Sequence, residues 1–85
     1  MSSQPSTTIG VDIGDRHTHL CLLNSETGDV LQEARIPTNP AAFEKRFAGS
    51  TPTRIAIEVG THSPWISRLL ERCGHQVLVA KTLAS

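Results

Sequence analysis

Hydrophobic and polar positions alternate one by one from Thr8 to Gly14, where Ile9, Val11 and Ile13 take turns with Gly10, Asp12 and Gly14. An extended segment of that period sets β-branched side chains on one face and two glycines flanking a carboxylate on the other. This is the pattern of a central strand that carries an acid. After the Gly14-Asp15-Arg16 turn, His17 to Asn24 reads as a second strand, antiparallel to the first because so short a link permits no other pairing. Ser25-Glu26-Thr27-Gly28 makes a hairpin turn, and Asp29 to Ile36 follows as a third strand with Val30, Ala34 and Ile36 expected to pack.

Beyond Pro37 the period lengthens. Asn39-Pro40 combines a side-chain cap with a proline in the first turn, Phe43 and Phe47 lie one turn apart on one helix face, and Gly49 closes the helix. Thr53 to Val59 alternates again and includes a second acid, Glu58. A helix separates this strand from the third, so it runs parallel to its sheet neighbour. Ser63-Pro64 repeats the cap-and-proline device, opening a helix with Trp65, Ile66, Leu69, Leu70 and Cys73 on one stripe and Gly74 at its end. Gln76 to Ala80 is a fifth strand. With right-handed crossovers these elements form an α/β domain whose five-stranded mixed sheet has the order 3-2-1-4-5, with both helices on one face and the other face bare. The domain spans residues 8–81, between a short disordered lead at 1–7 and a tail at 82–85.

Composition narrows the setting. At 85 residues and 38% apolar content the chain has room for one domain. Eight basic and eight acidic side chains balance, so the broad positive field of an autonomous nucleic-acid-binding domain is missing, although a polar groove is not excluded. Cys21 and Cys73 fit no disulfide framework, which points to a reducing, cytoplasmic setting. No apolar run is long enough to span a bilayer, and the Met-Ser-Ser-Gln-Pro-Ser opening lacks the basic and apolar parts of a signal peptide.

Strands one and four are neighbours in this sheet, which brings Asp12 and Glu58 together on the bare face. Two carboxylates at that separation repel unless protonated or bridged by a cation, and hard oxygen donors select Mg²⁺ or Mn²⁺. Mg²⁺ on one or two carboxylates keeps positions open for phosphate oxygens, as in metal-assisted phosphoryl transfer. The plainer alternative makes both acids polar strand-end residues, Asp12 capping the turn and Glu58 the next helix. His17, His19 and Cys21 share a face of strand two, but same-face residues on one strand do not converge on zinc without a fourth ligand from elsewhere. Thr61-His62-Ser63 offers free N–H groups to an anion or, more simply, a helix cap. Trp65 reads as a core anchor rather than a base-stacking platform, and Lys45, Arg46, Arg68 and Arg72 as solubilising charges.

Ile9-Gly10-Val11-Asp12-Ile13-Gly14, the His-rich second strand, Ile57-Glu58-Val59-Gly60-Thr61-His62-Ser63-Pro64-Trp65, Leu69-Leu70-Glu71 and Gly74-His75-Gln76-Val77 together resemble the N-terminal domain of DEDD-type insertion-sequence transposases. The resemblance covers roughly residues 8–80, and Glu58 to Trp65 is its most specific part. It implies a RuvC-like, ribonuclease-H-like fold, in which Asp12 and Glu58 are the catalytic, Mg²⁺-binding first half of an acidic tetrad. It also implies DNA as substrate, a structured guide RNA, a homo-oligomer in the full-length protein, and strand cleavage and joining in DNA transposition and recombination. The two remaining acids of such proteins lie on a helix after strand five, followed by a serine domain. Neither is in this chain, so the 85 residues alone are expected to be inactive. Asp15 departs from the family, where lysine is more usual.

Two other classes compete. Actin-like ATPases and sugar kinases share the three-strand meander and an Asp-x-Gly start, but need a hydroxyl- or glycine-rich turn where this chain has Asp15-Arg16-His17. A non-catalytic fragment acting through its uncovered sheet face is the third.

Overall fold

A computed structural model describes residues 7–58 and 63–80. The elements are β1 (Thr7–Ile13), β2 (His17–Asn24), β3 (Val30–Pro37), α1 (Pro40–Phe47), β4 (Arg54–Glu58), α2 (Pro64–Arg72) and β5 (Gln76–Ala80). They form one five-stranded sheet ordered β3-β2-β1-β4-β5, the order expected from the alternation and crossover rules. β2 lies antiparallel to β1 and β3, whereas β4 is parallel to both β1 and β5.

Each strand buries one alternate set of side chains. Ile9, Val11, Leu20, Ile55 and Ile57 join Phe43 and Phe47 of α1 and Ile66, Leu69 and Leu70 of α2 in a single cluster, so both helices cover the same sheet face. The Phe43 ring lies 5.9 Å from Phe47 and meets Trp65 edge-on at 5.4 Å, locking α1 to α2. Two polar groups enter this core with partners. Thr18 shares a 2.8 Å hydroxyl hydrogen bond with Thr38. His75, 5% exposed, accepts the Thr53 N–H at Nδ1 and bonds the Phe47 carbonyl through Nε2. Because Nδ1 accepts, the proton of the neutral ring sits on Nε2, and the imidazole staples the α1–β4 connection to the start of β5.

The two helices begin differently. Asn39 accepts the Ala42 N–H at 2.8 Å through its side chain and caps α1 as expected. Ser63 occupies the corresponding position of α2 but makes no side-chain cap bond, so only the proline half of that device operates. Beyond the last residue of α2, Gly74 closes the helix with a φ of 94° that lets the His75 N–H return to the Leu70 carbonyl.

Val30 corrects an expectation. Its register partner is Leu23, while Gln32 pairs with Leu22, which leaves Leu31 as the extra residue of a bulge. The bulge reverses the alternation for everything before it, and Val30 and Leu31 stand 56% and 57% exposed. Ala34 and Ile36, beyond the bulge, pack against the core as expected. Val59, the expected Gly60-Thr61-His62 turn, residues 1–6 of the expected lead and the segment 81–85 lie outside the described residues, whereas Thr7, expected in the lead, belongs to β1.

Candidate functional site on the uncovered sheet face

The side chains alternating with the core set form the opposite face. Registered pairs place Arg35 beside His19 and His19 beside Asp12. The last registered pair between β1 and β4 is Val11 with Ile57, and one residue further along both parallel strands come Asp12 and Glu58. Neighbouring strands lie roughly 4.8 Å apart. The chain thus carries its two candidate acids side by side at the same end of adjacent strands, and both are exposed.

The next row along the strands is low. Gly10 pairs with Cys21 on one side and Ala56 on the other. A Cβ on Gly10 would meet only Cys21 backbone and side-chain atoms, at 3.8 and 4.0 Å, which is ordinary contact. No neighbour demands glycine there, so its effect is to lower the floor behind Asp12. Gly14 differs. Its N–H bonds the His17 carbonyl at 3.0 Å, and a Cβ would sit 2.7 Å from that oxygen, so this glycine closes the β1–β2 turn. With that amide engaged inside the hairpin, Gly14 does not offer it to a phosphate.

At the far end of the shallow bed, Thr8 pairs with Arg54. Arg54 is half-buried, and its Nε is a buried atom with no hydrogen-bond partner among the described residues. Four residues separate it from Glu58 along β4, about 13 Å at a strand's rise per residue. The bare face is therefore a trough with a guanidinium at one end, Gly10 and Ala56 in its floor and two carboxylates at the other. Alongside, His19 Nε2 lies 3.0 Å from Glu33 Oε1, a partly exposed pair that ties β2 to β3. Alternation along β4 already sets Arg54 on the face of Glu58, whereas the His19–Glu33 pair escapes a reading of the sequence because only the register brings its strands into rows.

Among the described residues no three His, Cys, Asp or Glu side chains converge to hold a metal ion, and His17, His19 and Cys21, although on one face, form no such group. The donor set at Asp12 and Glu58 is two carboxylates. That suits Mg²⁺ or Mn²⁺, which bind through one or two protein carboxylates and take their remaining ligands from water and phosphate. No helix among the described residues is long and apolar enough to cross a membrane. A scan against protein-family models, a search of curated proteins and a search of solved structures each found no match.

Proposed function

We propose that this chain is the N-terminal part of a ribonuclease-H-like, metal-dependent transposase that cleaves and rejoins DNA strands, supplying two of the site's acids. One observation carries the reading: Asp12 and Glu58 occupy adjoining positions on parallel neighbours β1 and β4, on the face the helices leave uncovered. Their carboxylates would hold Mg²⁺ or Mn²⁺, which when bound offsets charge on a phosphate oxygen and acidifies a bound water. Gly10 and Ala56 keep the floor low enough for a sugar-phosphate strand to approach, and Arg54 offers that strand a cation away from the acids. Two carboxylates by themselves hold such an ion weakly, and the reading expects no DNA cleavage from Asp12 and Glu58 alone.

Manganese titration followed by NMR tests this. Paramagnetic broadening centred on Asp12, Glu58, Gly10, Ala56 and His19, and lost in Asp12→Asn, is the expected result. Broadening centred elsewhere would remove the reading's basis. Robust Mg²⁺-dependent DNA cleavage by the chain alone, abolished by Asp12→Asn, would contradict the expectation that these two acids do not cut by themselves. Micromolar ATP binding in calorimetry would move the chain to the kinase class, which the closed Gly14 turn disfavours.

A further inference from the structure

The helix layer carries a second surface, on the side of the sheet away from Asp12 and Glu58. Pro40 of α1 and Trp65, Arg68, Leu69 and Arg72 of α2 line a shallow open groove of about 250 Å³. Trp65 forms one wall. It is only partly buried, and its edge-on contact with Phe43 fixes the ring while leaving part of it in the groove. Pro40 and Leu69 add apolar surface.

The cations of this groove are set one helical turn apart, at i and i+4. Like charges at that spacing repel and destabilise a helix, so their placement favours an anion between them. Arg68 is exposed and has no ion-pair or hydrogen-bond partner among the described residues. Arg72 reaches Glu44 Oε2 at 3.4 Å, but both side chains are largely exposed and that contact is readily exchanged. Among the described residues no carboxylate lines the groove.

An aromatic wall, an apolar floor and two guanidiniums match a ligand with a flat unsaturated ring and an anion close by. A nucleotide within a single strand has both: the base lies against Trp65 and the phosphodiester between Arg68 and Arg72. A run of carboxylates without a ring, such as polyglutamate, would engage the arginines but leave the indole wall unused. We propose that the α1–α2 groove is a binding site for single-stranded nucleic acid. It stands independently of the acids on the opposite face, and an inert bare face would leave it intact.

Trp65 is the sole tryptophan, and the chain has no tyrosine, so intrinsic fluorescence reports on this groove directly. Titration of the full chain with a short oligothymidylate at low salt should quench Trp65 saturably. Two phosphate contacts give a slope of about −1.4 for log affinity against log salt on a single strand. Arg68→Glu should weaken binding about tenfold or more and roughly halve that slope. Lys45→Glu, a charge reversal on an exposed α1 residue outside the groove, should leave the curve unchanged. The proposal fails if the oligonucleotide does not quench, if polyglutamate of equal length quenches equally, if Arg68→Glu binds like the parent, or if Lys45→Glu abolishes the signal.

Discussion

The two faces of the sheet are built from the same strands, residue by alternate residue, and have opposite characters. On the covered face Ile9, Val11, Leu20, Ile55 and Ile57 are buried against two helices. On the other, Asp12, His19 and Glu58 stand exposed around Gly10 and Ala56. The backbone is common to both, so the contrast comes from what packs against each face. Substitutions on the covered face should register as stability, and those on the bare face as binding. In this small domain that division leaves one side free to carry charge that its core could not tolerate.

The largest test compares residues in neighbouring rows of the paired strands. Ile57→Ala removes a side chain that is 1% exposed and should cost about 2–5 kcal/mol, read from urea unfolding. Asp12→Asn should change stability by less than about 1 kcal/mol while removing manganese broadening. Equal losses from the two would break the comparison, because Asp12 would then be holding the fold.

A smaller effect separates two glycines on the polar set of β1 and its turn. Gly14→Ala forces a Cβ to 2.7 Å from the His17 carbonyl and should destabilise by about 1–3 kcal/mol. Gly10→Ala meets only ordinary contacts and should stay within about 0.5 kcal/mol. A Gly10→Ala protein that keeps its stability but loses manganese broadening would sharpen the case that this glycine serves a ligand. The smallest test concerns the cover itself. Asn39→Ala should cost about 1 kcal/mol through the lost α1 cap, whereas Ser63→Ala, with no cap bond to lose, should be nearly neutral in thermal unfolding.

Much of the architecture is legible along the chain. Single-residue alternation in Thr8 to Gly14 and in Arg54 to Glu58, the wider spacing of Phe43 and Phe47, and the glycines at 28, 49 and 74 mark strands, helix and stops, each by a local physical rule. Short links oblige antiparallel pairing and helical ones parallel pairing, and from this the strand order follows. Val30 escaped that logic because a bulge at Leu31 has no signature apart from the pairing it disrupts. Ser63 escaped it because a capping residue type does not guarantee the bond.

What the chain determined alone was which residues alternate, where each element starts and stops, and that Asp12 and Glu58 belong to the polar set of their strands. Those properties depend on neighbours a few positions apart. Tertiary structure decided the rest: the row joining Arg35, His19, Asp12 and Glu58, the burial of Arg54 Nε, the His75 staple, and the groove that sets Trp65 beside Arg68 and Arg72. Each depends on register or packing between segments far apart in the chain. A shift of one residue in either would dissolve these groupings without changing the hydrophobic pattern of any single strand.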